Sequence, residues 1–284
     1  MQKLIQQSQH KKMKKQIIIF ISLFIITLSQ AQETGNYLHF NVGSGQHNFS
    51  YTLKDGTQAV QSGYTANIAY SHFFTPSIGI QTGVGIQTFS ALSTLNLTES
   101  TPAIDSDKDF YVFKSNFKNW QENQQVLFFE VPLTGQFKHK FSDKIGLLLT
   151  VGAKISIPVN ATYKTTGGEI VTSGYYPQYN IVLTDLPQHG FTTITQSYTG
   201  KYSFNPAYMA IAELGGTYNI SEKIDLYLGG YFNYGLNDIL KPDTKMLYQL
   251  DGTYNGELGT YQTTSVKPFS IGVKLGLYLK VGKK

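Results

Sequence analysis

The sequence predicts an all-β protein, an eight-stranded antiparallel up-and-down transmembrane β-barrel. Three observations lead to this prediction: apolar residues alternate with small polar residues in long runs, short turns join several of these runs, and a secretory leader precedes them. The composition agrees, because only 14% of the 284 residues are charged, while 27 are glycine, 20 tyrosine and 18 phenylalanine.

The first 31 residues have the layout of a signal peptide. A lysine-rich stretch at 11–15 precedes a mostly apolar run at 17–28, and small residues then precede a cut before Gln32. A membrane anchor would need about 20 apolar residues, so this run is too short for one. Both Met1 and Met13 open a complete leader. We therefore expect a signal peptide at 1–31 and one barrel domain at 32–284.

Charge and composition exclude several kinds of function. The leader holds five lysines and no acid, which leaves 18 lysines against 18 acids in the rest of the chain. No arginine occurs, so a groove that reads phosphates through guanidinium groups is not expected, and we expect no nucleic-acid partner. No cysteine occurs, which excludes disulfides, thiolate metal sites and cysteine nucleophiles.

Each predicted strand has one apolar face. Every odd position from Phe269 to Val281 is apolar, and similar alternation runs through 145–157 and much of 224–236. Counting along the chain gives eight strands, at 37–50, 64–74, 78–90, 126–141, 145–159, 204–220, 224–236 and 268–281.

Three connections are three-residue turns between apolar residues, at 75–77, 142–144 and 221–223. Pairing outward from them keeps the mainly apolar residues of both arms on one face of each hairpin, with Tyr70 opposite Thr82, Val131 opposite Ile155 and Tyr218 opposite Leu226. The other connections are predicted to be long loops, at 51–63, 91–125, 160–203 and 237–267. Short turns at one end and long loops at the other are typical of a bacterial outer-membrane barrel.

The second face of the strands separates a membrane barrel from a soluble lipocalin-like barrel. A water-facing exterior should be rich in Lys and Glu, whereas this face reads Gly79, Gln81, Gly83 and Gly85 in one strand. Small neutral residues suit a crowded lumen better. The sequence therefore predicts location in the cell outer membrane, with membrane lipid around the apolar face.

One segment also resembles a known family. Phe128-Phe129-Glu130-Val131-Pro132-Leu133, followed by a tight turn after Phe141, is similar to the Bacteroidota-type outer-membrane β-barrel family called PorT-like. A strand reading Glu-Val/Ile-Pro-Leu ahead of a tight turn marks that family. The specific part of the resemblance covers about residues 128–158. It implies the barrel fold and no particular activity.

Strand alternation puts several charged residues on the lumen side, with Glu130 opposite Ser156 and diagonal to Lys154. Two interpretations are open: a polar relay or selectivity ring, and an ion-pair network that fills the barrel. We favour the filled lumen, because eight strands enclose a space just wide enough for side chains. The predicted lumen network consists of Glu130, Lys154, Glu213 and Lys274.

Motifs for catalysis and metal binding are weak. The histidines lack metal-ligand spacing, and no Ser-His-acid order stands out, so we expect no enzyme and no cofactor. The run from Asp105 to Asp109 resembles the start of a calcium loop. However, Phe110 and Asn116 occupy the positions of that loop's glycine and glutamate, which leaves only a looser surface cation site or a solvated charge run.

The predicted loops hold the remaining candidates, Trp120 and the tyrosines Tyr175, Tyr176 and Tyr179. These rings either form a contact surface for a partner or pack the loops on themselves. We expect a structural or interaction protein that binds a protein partner through its extracellular loops. A narrow pore for small solutes is the main alternative, and a barrel-embedded lipid-modifying enzyme is a further one.

Overall fold

The computed structural model describes residues 35–241 and 245–281, so the predicted signal peptide lies outside the described residues. Short 3-10 helices lie at Pro187–His189 and Glu257–Gly259. In the described part of the chain, no helix is long and apolar enough to cross a membrane. The strands are β1 (Asn36–Leu53), β2 (Gly56–Val60), β3 (Ser62–Phe73), β4 (Ile78–Ile104), β5 (Phe110–Lys140), β6 (Ile145–Tyr176), β7 (Ile181–Leu183), β8 (Thr193–Ile194), β9 (Thr199–Lys201), β10 (Ala207–Ser221), β11 (Ile224–Gly235) and β12 (Thr263–Val281).

Eight of these strands close into a barrel. Their order around the barrel is β10-β11-β12-β1-β3-β4-β5-β6, and β6 pairs with β10 to complete the ring. Every neighbouring pair is antiparallel. The predicted fold class is therefore confirmed. The three hairpins also have the expected register, with Tyr70 opposite Thr82, Val131 opposite Ile155 and Tyr218 opposite Leu226.

The exterior of the barrel is a belt of exposed apolar side chains. Valine, leucine, isoleucine and aromatic residues face outward on every barrel strand, for example Val42, Leu133 and Val273, each more than half exposed. Exposure of such an apolar surface to water is unfavourable, whereas contact with membrane lipid carries no such penalty. The prediction of an outer-membrane location is confirmed on this ground. We call this surface the apolar belt.

Three of the predicted long loops are mostly strand, so that part of the prediction is wrong. β1 continues to Leu53 and β2 covers Gly56–Val60, where a loop at 51–63 was expected. β4 continues to Ile104, β5 begins at Phe110, and β6 continues to Tyr176, where loops at 91–125 and 160–203 were expected. The reason is that the apolar residues change from the outer face of the strand to its inner face. Beyond Thr88, apolar residues such as Phe89 and Leu95 point inward, and most of the Ser and Thr residues point outward. Above the membrane the outer face meets water, so the rule that apolar residues face outward no longer holds.

These long strands form a sheet above the membrane that we call the extension. It contains β2, residues 89–104 of β4, 110–127 of β5 and 160–176 of β6, with β7, β8 and β9 paired to β6. The segment between β11 and β12 supplies buried residues to the cores of this region, such as Leu247 and Leu258. We call the described part of that segment, residues 236–241 and 245–262, the covering loop.

Candidate functional site: a sealed lumen and an extracellular extension

The lumen holds a buried network centred on Lys154. Its ammonium lies 2.8 Å from Glu130 Oε1 and donates to Gln87 Oε1 at 2.6 Å. Ser156 Oγ donates to the same carboxylate at 3.1 Å. The register explains this contact, because Ser156 is paired with Glu130, and Lys154 is its diagonal neighbour. The carboxylate therefore has both a charged and a neutral donor.

Two further ion pairs fill the lumen. Lys274 pairs with Glu213, which brings the other two predicted network residues together. Lys138 pairs with Asp225 at 3.1 Å, and its ammonium also lies over the Tyr37 ring. All six side chains are largely buried. The three lysines and three acids balance, so these pairs give the lumen no net charge.

Hydrophobic clusters close the lumen above and below the first two pairs, while Lys138–Asp225 lies level with the lower cluster, beside the short turns. At the extracellular end, Phe49, Phe89 and Phe128 are fully buried and pack with residues of the covering loop. At the opposite end, Tyr227 stacks on Tyr278 beside buried Phe73 and Leu148. A cavity of about 30 Å³ remains between them, beside Glu130, Lys154 and Lys274. That space holds about two water molecules, too few for a continuous water path.

Two of the predicted contact residues pack inside the extension. Trp120 is only 1% exposed and packs against Phe117 and Tyr254. Tyr176 is also buried, and its ring stacks on Tyr111 at 5.3 Å. Neither ring faces a partner, and both stabilise the extension. The residues reach the interior because the segments that carry them are strands of a sheet with a core of its own.

The run from Asp105 to Asp109 forms a closed turn at the tip of the β4–β5 hairpin. Asp105 Oδ1 accepts hydrogen bonds from the backbone N–H groups of Asp107 and Asp109. Its other oxygen accepts from the Tyr176 hydroxyl at 3.1 Å, and Tyr179 donates to Asp109 Oδ2 at 3.2 Å. These carboxylates therefore join the tips of two neighbouring hairpins.

The outer face of the extension carries apolar residues far from the belt. Pro102, Val112, Tyr175 and Val182 are paired in one row across β4, β5, β6 and β7. Next to this row, Ile104 pairs with Phe110, and these side chains are 70% and 47% exposed. We call these residues the distal face: Pro102, Ile104, Phe110, Val112, Tyr175 and Val182. Of the predicted contact residues, Tyr175 lies in it, and Tyr179 lies exposed at the neighbouring tip.

A second buried polar site joins the extension to the covering loop. Glu122 of β5 and Glu257 of the covering loop are both fully buried. Tyr254 donates to Glu122 Oε2 at 2.8 Å, and Tyr202 donates to the other oxygen. Gln124 Nε2 bridges the two acids, at 3.0 Å from Glu122 and 3.2 Å from Glu257. The sequence analysis missed this pair because both acids fall in segments that were predicted to be loops.

Burial determines the protonation of these two acids. Removal from water raises the pKa of Glu122 and raises that of Glu257 well above its usual range, with the Glu122 charge adding to the second shift. Every hydrogen-bond donor found for them in the described part of the chain is neutral. The pair therefore holds the covering loop best when it is protonated.

No family model and no curated protein matches this chain. Among solved structures, it is similar to neisserial surface protein A, NspA, at 11% identity with a TM-score of 0.35, over 88% of this chain and 100% of that chain. It is also similar to the outer membrane protein OprG from Pseudomonas aeruginosa, at 10% identity and a TM-score of 0.37, over 89% and 99%. Ail, the attachment invasion locus protein of Yersinia pestis, matches at 8% identity and a TM-score of 0.32, over 86% and 99%. The fold and location described above rest on the strand register and the apolar belt of this chain itself.

Proposed function

We propose that this protein is a non-conducting outer-membrane barrel that presents an interaction surface for a protein partner outside the cell. The distal face is the observation that carries the proposal. It places exposed apolar side chains on an ordered sheet. Membrane lipid explains the apolar belt, but it does not explain these residues, because the sheet lies far from the membrane. Apolar patches of this kind on a soluble surface are typical of binding sites.

The distal face is held rigid before any partner binds. The Tyr176–Asp105 and Tyr179–Asp109 hydrogen bonds join its two hairpins, and the aromatic core around Trp120 supports the sheet from behind. A surface that is already ordered loses little conformational entropy on binding. Tyr175 lies 16 residues beyond Val159 on β6, about 50 Å along the strand, so the surface reaches well past lipid headgroups.

We further propose that the chain belongs to the PorT-like barrels. The strand that carries Glu130-Val131-Pro132-Leu133 supports this assignment, since each part of the motif has a role in the barrel. Val131 and Leu133 contribute to the apolar belt, while Glu130 binds Lys154 in the lumen. Pro132 has no backbone N–H to donate to the neighbouring strand, and its carbonyl oxygen accepts a hydrogen bond from the Thr82 hydroxyl at 3.0 Å.

The interaction proposal predicts that Phe110→Ser/Val182→Ser loses the partner while the barrel still folds. Both side chains are about half exposed, so the change removes contact area and leaves the core intact. The measurement is cross-linking in native membranes, followed by purification and quantification of the proteins that accompany the barrel. We expect the yield of the partner to fall at least tenfold, the usual loss for two central apolar contacts.

Val60→Ser/Leu250→Ser is the matched control, since it removes two apolar side chains of similar exposure from other parts of the extracellular surface. It should keep the wild-type yield. Equal recovery of the partner with both double variants would place the interaction elsewhere and contradict the proposal.

A further inference from the structure

A polar groove lies on the outer wall of the extension, just above the apolar belt. It has a volume of about 460 Å³ and opens on the side of β5, β6 and β9 that faces away from the core. Two lysines, hydroxyl groups and carboxamides line it. The residues that matter here are Asn123, Gln125, Thr162, Lys164, Thr199 and Lys201.

Strand pairing arranges these residues in two rows. Asn123 of β5 is opposite Lys164, which is opposite Thr199 of β9. In the row nearer the membrane, Gln125 is opposite Thr162, which is opposite Lys201. The two lysines are thus diagonal neighbours, about 7–8 Å apart at their backbones. Two flexible ammonium groups at this separation can bind one anionic group between them.

The height of the groove matches the headgroup layer of the membrane. Val159, which is 65% exposed, is the last belt residue on β6. Thr162, which is paired with Lys201, lies about 10 Å further along the strand. Lys164 lies about 16 Å beyond Val159. Since barrel strands tilt by about 40°, these positions lie about 8 and 12 Å above the belt. Lysine side chains bend toward the headgroups over such distances.

The charges in the groove are not compensated by neighbouring acids. Within residues 35–241 and 245–281, neither Lys164 nor Lys201 forms an ion pair. A third lysine, Lys241, adds positive charge nearby, because it donates at 2.7 Å to Ser203, two residues beyond Lys201. Asp238 lies close in sequence to Lys241, but one of its oxygens already accepts two backbone N–H groups.

We propose that this groove binds the phosphate of an anionic lipid headgroup in the outer leaflet. The lysines neutralise the phosphate, and the hydroxyl and carboxamide groups beside them donate hydrogen bonds to its oxygens. A lipid fits better than soluble phosphate, because Phe129 and Val159 of the belt lie directly below the groove and meet the acyl chains. The site would fix the barrel's depth and rotation relative to specific lipids.

Native mass spectrometry of the purified full chain in non-ionic detergent, titrated with phosphatidylglycerol, tests this proposal. Lys164→Gln/Lys201→Gln should bind the first lipid about 25-fold more weakly, since one lysine near an anionic headgroup contributes about fivefold. Phosphatidylcholine, which carries no net charge, should bind wild type and variant alike. Heat-dependent gel mobility shows that each preparation contains a folded barrel.

Lys114→Gln/Lys118→Gln is the control, because it removes the same charge from β5 further from the membrane. It should bind phosphatidylglycerol like the wild type. An equal loss with both double variants would mean that net charge acts alone, which overturns the site. Displacement of the lipid by inorganic phosphate at equal concentration would assign the groove to soluble phosphate and overturn the lipid proposal.

Discussion

Lys154 is the residue on which the lumen network depends most. Its ammonium contacts Glu130 and Gln87, and both side chains of the ion pair are more than nine-tenths buried. A buried pair of this kind adds little net stability over apolar residues of the same size, but removal of one partner leaves an uncompensated charge. The network therefore constrains which single substitutions the lumen tolerates.

Lys154→Ala should lower the free energy of unfolding by about 3 kcal/mol, because the Glu130 carboxylate stays buried without its cation. Urea unfolding of the refolded barrel in lipid vesicles, followed by gel mobility, measures the change. The double variant Lys154→Met/Glu130→Gln should recover most of the loss, since no buried charge remains. A loss below about 1 kcal/mol for the single variant is the behaviour of an exposed ion pair and would contradict the buried network.

At the scale of elements, the covering loop and the extension are joined through buried carboxyl groups. Besides the pair of Glu122 and Glu257, Glu99 of β4 accepts from Gln262 Nε2 at 2.9 Å and from the Leu247 N–H at 3.0 Å. The titratable groups around the pair are the hydroxyls of Tyr51, Tyr163, Tyr202 and Tyr254, which stay protonated below pH 10. Docking of the loop should therefore depend on the protonation of the acids.

The covering loop should loosen as the pH rises. A carboxyl group whose pKa is raised on folding stabilises fully below its unfolded pKa of about 4.5, and the stabilisation is lost as the pH rises through the folded pKa. Trp120 is the only tryptophan of the chain and packs on Tyr254 of this loop, so its fluorescence reports docking. We expect its emission to shift to longer wavelength as the pH rises above about 4.5 and passes through the raised pKa values of the two acids.

Glu257→Gln removes one charge of the pair without changing its shape, so the shift with pH should become much smaller in this variant. Glu169→Gln is the control, since Glu169 is more than a third exposed and pairs with Lys118 on the outer surface. It should behave like the wild type. A wild-type emission that stays constant over this pH range would show that the acids do not control docking.

At the scale of the whole molecule, a barrel with a filled lumen carries the extension above the membrane. Two ion pairs occupy the middle of the lumen between two hydrophobic clusters, and the third, Lys138–Asp225, lies at the end with the short turns. A substrate or ion would have to displace the phenylalanines of the extracellular cluster and then break buried ion pairs. This arrangement supports the proposal that the barrel carries the extension and does not conduct.

The purified barrel should therefore pass no stable current in planar lipid bilayers. The reason is that two hydrophobic clusters close the lumen, and the cavity between them holds only about two water molecules. Ions therefore have no continuous water path. The preparation must show the heat-dependent gel mobility of a folded barrel, so that an absence of current cannot result from misfolding. Stable conductance steps of porin size would refute the sealed lumen.

The sequence alone determined the part of the protein that lies in the membrane. Lipid outside and a narrow lumen inside impose a period of two on every strand, so the eight strands, the three hairpin registers and the contact of Glu130 with Lys154 can be read from local pattern. The pairing of Glu213 with Lys274 needed the curvature of the sheet, because it joins β10 and β12 across the lumen side of β11, which lies between them.

Only the tertiary structure decided what lies above the membrane. There the alternation changes sides at Thr88, and Trp120 and Tyr176 become a core in place of an exposed surface. The contact of Glu257 with Glu122 joins residues 135 positions apart, and the groove of Lys164 and Lys201 needs β9 to return to β6. Local sequence patterns do not predict such contacts. In the membrane, lipid covers every apolar face in the same way, whereas above the membrane each apolar face is covered by a different, distant segment of the chain.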